Sequence, residues 1–181
     1  MSAPAAVANR YAKALFDLAN EKGVVEQINE ELHGVQTVFH SVPAFQKVMA
    51  HPKMSTEEQQ ALLEKGFSEC HPFVMNMLLL LADRGRINIV DSLVQTFQNL
   101  TDDVFQIARA DVRAVRPLSD KEKEELARQF TKKVNNRQVV VTDRQDDDLI
   151  GGLIVRVGDT VYDGSVQGML RRMERKIVSN R

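Results

Sequence analysis

The hydrophobic period of this chain changes once, at about Gln106, and that change limits what it can fold into. Before it, apolar residues recur every three or four positions, the spacing that gathers them on one side of an α-helix. After it, Ala108, Ala110, Val112 and Ala114 alternate with Arg109, Asp111 and Arg113, the spacing of a strand with one wet face. Helices followed by a mixed region predict a mainly α chain with a small α+β domain. The expected architecture is a six-helix N-terminal bundle over 1–105, then a C-terminal mixed α/β domain over 106–181. Charge divides at the same point. Eight basic residues face thirteen acidic ones through Phe105, and sixteen face twelve from Gln106 onward. Two parts so different in charge imply different neighbours.

The first helix is expected over residues 4–22, with Pro4 in its first turn. Its apolar residues cover roughly 200° of its surface, more than the arc of a little over 100° that one core needs. Ala8, Ala12, Leu15 and Ala19 can face inward, which leaves Val7, Tyr11, Ala14 and Leu18 as a second stripe. Either the bundle buries both sides, or the second stripe receives a helix from another protein. A second helix over 25–41 carries Ile28, Leu32, Val35 and Phe39 on one side, and a short third one is expected between Pro43 and Met49. Ser55-Thr56-Glu57-Glu58 is a capping box that opens a fourth, with Leu62, Leu63 and Phe67 inward. The fifth, from Pro72, is apolar almost all the way round, the mark of a helix enclosed on most sides. Part of its girdle, Met77, Leu80 and Leu81, could instead stay uncovered and wall a groove with Tyr11 and Ala14. Gly85 is its expected left-handed cap. The last helix of the bundle is expected from Asn88 to about Phe105, with Val90, Leu93, Val94, Phe97, Leu100 and Val104 as its stripe.

In the second part, Pro117 ends the first strand and Ser119-Asp120-Lys121-Glu122 is another capping box. It opens a helix with Leu126, Ala127, Phe130 and Val134 inward. Val139-Val140-Val141 reads as a strand, and Leu153–Val157 as another. Gly158-Asp159 supplies a two-residue hairpin turn and Thr160–Tyr162 returns. Asp163-Gly164 breaks the ladder and Ser165 stands where a helix N-cap belongs. Val166, Met169, Leu170, Met173 and Ile177 then form a helical stripe. The order is β-α-β-β-β-α or β-α-β-β-α.

No catalytic, cofactor or metal site is expected. His33, His40, His51 and His71 have no zinc-like spacing, and Cys70 beside His71 lacks an orienting partner. Gly151-Gly152 belongs to no phosphate-binding motif and suits close backbone approach instead. Asp146-Asp147-Asp148 reads as a solvated turn, without the spacing of a calcium loop. A single cysteine fits a reducing compartment. The first residues resemble neither a signal peptide nor a transit peptide. The longest apolar block, Phe73–Ala82, is about half of what a membrane span requires. Arg171, Arg172, Arg175, Lys176 and Arg181 could form a solvated face, meet an anionic protein, or bind nucleic acid. Glu174 interrupts them, and no aromatic platform lies beside them.

Three stretches together resemble one family: Val-Ala-Asn-Arg-Tyr-Ala-Lys-Ala-Leu-Phe-Asp-Leu-Ala (7–19), Leu-Leu-Leu-Leu-Ala-Asp-Arg-Gly-Arg-Ile (78–87), and Gly-Gly-Leu-Ile-Val-Arg-Val-Gly-Asp-Thr-Val-Tyr-Asp-Gly-Ser-Val (151–166). The chain is similar to the delta subunit of bacterial rotary ATP synthase, whose mitochondrial counterpart is the oligomycin-sensitivity-conferring protein. The resemblance implies a stator part rather than an enzyme, working without cofactor or metal. It also implies a place at the cytoplasmic face of the bacterial plasma membrane, held through the complex and not inserted. In the family the N-terminal bundle receives an N-terminal helix of an alpha subunit, and the C-terminal domain joins the ends of the b subunits. By that analogy Val7, Tyr11, Ala14 and Leu18 line one wall of the groove, Met77, Leu80 and Leu81 the other, with Arg84 at the rim. Gly152, Asp159, Asp163 and Gly164 match the family motif and are expected to shape the fold. The rival expectation is a small nucleic-acid-binding module using the basic C-terminal helix.

Overall fold

The computed structural model describes residues 3–42, 45, 48, 49, 54–134 and 137–179. Contacts divide the chain into two compact units, Met1–Asp102 and Asp103–Arg181. Among the described residues the first unit holds α1 (Ala3–Lys22), α2 (Val25–Ser41), α3 (Thr56–Gly66), α4 (Pro72–Asp83) and α5 (Val90–Val104). The short helix expected between Pro43 and Met49 falls largely outside the described residues; the other five expected helices are formed. A single 3-10 turn, Ile87–Ile89, leads into α5, which therefore begins two residues later than its periodicity suggests.

The core of this unit follows from the helical stripes. Ala8, Ala12 and Ala19 are fully enclosed and, being small, let neighbouring helices approach α1 closely. Phe16 sets its ring edge-on to Phe97, with centroids 5.6 Å apart. Ile28, Leu32, Val35 and Phe39 of α2 are all buried, as are Leu63 and Phe67 at the end of α3. The capping box at α3 is formed: the Glu58 N–H donates to Ser55 Oγ at 3.2 Å and the Ser55 N–H to Glu58 Oε2 at 2.9 Å. Gly85 ends α4 at φ +60°, a conformation costly to any residue with a Cβ. The Arg86 N–H then closes the turn on the Leu81 carbonyl at 2.8 Å. Val104, expected on the α5 stripe, is exposed because the helix runs past the core before it ends.

The second unit holds β1 (Ile107–Ala114), α6 (Asp120–Thr131), β2 (Gln138–Gln145), β3 (Leu153–Val157), β4 (Thr160–Asp163) and α7 (Val166–Ser179). Of the two orders left open, β-α-β-β-β-α is the one formed. The sheet order is β2-β1-β3-β4, with β1 parallel to β2 and the other pairs antiparallel. Helix α6 is the crossover that a parallel pair requires. β2 is longer than its valine run because Thr142–Gln145 continue the ladder against Asp111–Ala114. Ala110, Val112, Val139 and Val155 face Phe130, and Tyr162 packs edge-on to Phe130 at 5.0 Å. The Lys133 ammonium lies 4.9 Å from both ring centroids, a cation–π contact at the rim of this core.

The α6 entry carries a two-pronged charge pair. Ser119 and Glu122 form a capping box, and both terminal nitrogens of Arg116 reach the Glu122 carboxylate, at 3.1 and 2.7 Å. The Arg116 guanidinium, then the Ser119 N–H and hydroxyl, hold Glu122 at a pKa of about 2, below its ordinary 4.5. A depressed carboxylate means that the unfolded chain binds more protons in that range, so stability rises with pH there. The contribution of Glu122 is complete above about pH 4.5 and fades as pH falls toward 2. Asp143, Asp146 and Asp163, also held low by their partners, act in the same sense. Glu122→Gln is expected to flatten the acid limb of the stability curve below pH 4.5, read by urea unfolding at successive pH values. An unchanged slope removes Glu122 from that role.

Candidate partner-binding surfaces

Two apolar surfaces stand out, one in each unit. In the first, α1 packs against α4 and against the 3-10 turn. Val7 and Tyr11 are half-buried against the core, while Ala14 is exposed and Leu18 is 38% exposed. On α4, Leu80 is 39% exposed and Arg84 is exposed beside Asp83, 3.5 Å away. Leu81 and Met77 do not stand with them. Leu81 has no accessible surface and Met77 only 9%, so both belong to the core and offer a partner no wall. The reason is angular: successive residues lie 100° apart on a helix. Leu80 lies instead on the outward side, which exposed Asn76 four residues before it and Asp83 three after it mark. The sequence reading also missed Arg86, whose guanidinium donates to Tyr11 Oη at 3.1 Å and so ties the turn after α4 to α1.

The second surface is α7. Its stripe is exposed along its whole length, from 42% at Val166 to 71% at Ile177. Every described side chain of this helix beyond Gly168 is open to solvent. The periodicity announced the stripe but carried no information about what covers it. Ile150, just before the hairpin, is exposed as well.

What fastens α7 is its first turn. Ser165 is buried, and its hydroxyl accepts from the Gly168 N–H at 3.0 Å and donates to Asp163 Oδ1 at 2.6 Å. The Ser165 hydroxyl and N–H together hold the Asp163 carboxyl below the usual carboxylate range. Gly152, at φ +81°, lies so close that a Cβ would stand 2.4 Å from the Gly164 carbonyl oxygen. A Cβ at Gly168 would meet the Asp163 carboxylate at the same 2.4 Å. These residues aim the helix, and their role is structural.

The candidate chemical groups have other uses. His71 caps α4: its Nδ1 accepts from the Phe73 N–H at 3.2 Å, and its backbone N–H donates to Glu31 Oε2 at 2.6 Å. Burial, together with the carboxylates of Glu31 and Glu69, pushes the Cys70 thiol up, which makes it a poor nucleophile. His40 Nε2 lies 2.9 Å from Asp91 Oδ1, joining α2 to α5; His51 lies outside the described residues. Asp146 is spent on Arg113. No grouping of three metal-ligating side chains occurs among the described residues, and none of the described helices is long and apolar enough to cross a membrane. On α7, Arg171 reaches Gln167 at 3.4 Å and Arg175 the Arg171 carbonyl at 3.3 Å, local contacts along one helix.

Comparison with known proteins agrees with this architecture. The family described as "ATP synthase delta (OSCP) subunit" matches residues 7–177. A protein of Shouchella clausii named "ATP synthase subunit delta" is 45% identical over 175 residues, covering 96% of this chain and 97% of that one. Its namesake in Priestia megaterium is 37% identical over 181 residues, covering 100% and 99%, and that of Bacillus subtilis is 40% identical over 172 residues, covering 95% of each. Among solved structures, a chain of the Toxoplasma gondii mitochondrial ATP synthase hexamer has the same fold, with a TM-score of 0.70 at 18% identity over 98% of both chains. A family match across nearly the whole chain, on a bundle and sheet unit with two bare apolar surfaces, leaves one conclusion: the chain belongs to the ATP synthase delta (OSCP) subunit family.

Proposed function

We propose that this chain fastens two other subunits of an ATP synthase through two separate apolar surfaces. The α1–α4 side, with Val7, Tyr11, Ala14, Leu18, Leu80 and Arg84, takes the N-terminal helix of an alpha subunit. Helix α7 takes the C-terminal ends of the b subunits. The chain is a non-catalytic, peripheral-stalk subunit of the complex. Its domain assignment follows: the helical bundle faces the catalytic head and the sheet unit faces the stalk, at the cytoplasmic face of the bacterial plasma membrane.

The observation that carries the reading is the bare stripe of α7. A helix of 14 residues is marginal in water by itself, and five exposed apolar residues on one side are costly to leave wet. Val166, Leu170, Met173 and Ile177 are spaced four, three and four apart, the spacing with which one helix meets another in a coiled coil. A stalk must resist the torque of the rotor, so that ion flow drives conformational change in the head instead of turning it. Rigid apolar contacts, fully desolvated, supply that resistance.

The α1–α4 side is tested by Leu80→Asp, because Leu80 is exposed and its replacement leaves the core intact. A charge placed in a desolvated contact is expected to weaken binding of an alpha-subunit N-terminal peptide by roughly 10- to 100-fold, measured by calorimetry, with the helical circular dichroism unchanged. Unchanged affinity would remove Leu80 from the contact.

A further inference from the structure

We propose that the uncovered face of the sheet in the second unit docks an acidic polypeptide segment, with a carboxylate held between Arg144 and Arg156. This goes beyond the stator reading and does not depend on it.

The register lays out that face. Core residues of each strand turn toward α6, and the alternate residues form rows on the other side. Thr142, Asp111, Arg156 and Val161 make one row across the four strands, and Arg144, Arg113, Ile154 and Asp163, the last bonded to Ser165, make the next. Apart from Asp163, and together with the backbone beneath, they line an open concavity of about 570 Å³.

The charges in these rows are unevenly answered. Arg113 and Arg144 stand directly opposite each other in the β1–β2 pairing, an arrangement that destabilises a sheet unless an anion intervenes. Asp146 answers Arg113. Arg144 forms no hydrogen bond among the described residues, though its charge also acts on the Asp146 carboxylate. Arg156 commits only its Nε, to the Gly158 carbonyl at 3.1 Å, so its two terminal nitrogens are free to donate. The one carboxylate between them, Asp111, accepts from the Thr142 hydroxyl at 3.4 Å. Two guanidiniums with free N–H donors therefore flank β1, about 10 Å apart at their strands, Arg156 directly opposite Asp111. Both arms can lean over β1, where a carboxylate would receive charge-assisted, paired hydrogen bonds.

The apolar members of the face decide what kind of anion fits. Ile154 and the exposed Val161 adjoin the guanidiniums. A bare inorganic anion has no use for them, whereas a peptide segment can lay aliphatic side chains there while its acidic side chain reaches the arginines. The two rows hold no aromatic side chain, so nothing in them stacks on a nucleic-acid base.

The test uses the full chain and fluorescence anisotropy with a labelled peptide of three Glu-Leu-Glu-Ala repeats. The same peptide with Gln in place of Glu controls for purely apolar binding, including binding to α7. At about 50 mM salt, where exposed charges are only partly screened, the Glu peptide is expected to bind about tenfold more tightly than the Gln peptide. Arg144→Ala combined with Arg156→Ala is expected to erase that difference without altering the circular dichroism, both side chains being exposed. Equal binding of the two peptides overturns the proposal, as does a Glu preference that survives in the double variant. Displacement of the Glu peptide by millimolar inorganic phosphate, or by a single-stranded oligonucleotide, would likewise overturn it.

Discussion

Gly152→Ala is expected to unfold the second unit under conditions where the first keeps its helices. Two costs combine. At φ +81° an L-residue is strained by roughly 1 kcal/mol or more. The new Cβ would also stand 2.4 Å from the Gly164 oxygen and 2.9 Å from Ser165 Cα, both backbone atoms that cannot rotate away. The chain must therefore move Gly164 and Ser165, and with them the buried hydroxyl that caps α7, a cap of about 1 kcal/mol. A total near 3–5 kcal/mol is a large share of what holds a unit of this size together. It corresponds to a fall of more than about 10 °C in the unfolding temperature. Gly158→Ala is the control: φ is +57° and nothing lies within 4 Å of its Cβ, so only the backbone strain is expected. Urea titrations followed by circular dichroism separate the two variants. If both unfold at the same midpoint, close approach of the chain at Gly152 contributes nothing.

What the sequence reveals here is what is local. The hairpin from Leu153 to Asp163, the serine cap before α7 and the boxes at Ser55 and Ser119 are written in a few neighbouring residues, and the structure forms each of them where the pattern put it. The inward stripe of α1 was equally legible, because Ala8, Ala12, Leu15 and Ala19 repeat at helical spacing, whereas of the second stripe Val7 and Tyr11 are half-buried and only Ala14 and Leu18 are exposed. On α4 the signal is thin: among long apolar neighbours, only Asn76 and Asp83, exposed four residues before and three after Leu80, mark Leu80 rather than Leu81 as the outward residue. Helix α7 is the reverse case. Its stripe is clear, but the same stripe would appear whether its own domain or another protein covered it. Gly168 gave no signal either: a glycine in a first helical turn looks like weak propensity until Asp163 is found beside it.

Replacing Leu170 and Met173 together by aspartate is expected to release the b subunits while alpha and beta stay attached to this chain. Both side chains are at least half exposed in the free molecule, so neither substitution removes a contact that the fold needs. In a helix–helix seam they would occupy successive core positions, where truncation or charging costs about 2 kcal/mol or more apiece. Two such losses lower affinity by roughly a thousandfold, enough to separate the subunits during purification from native membranes. Leu80→Asp gives the opposite pattern, loosening alpha and sparing b. The pair of variants thus distinguishes two independent attachments from one continuous surface. Should the α7 variant still bring down b in full proportion, the exposed stripe is not the seat of that subunit. Should it lose alpha and b together, the two surfaces do not act separately.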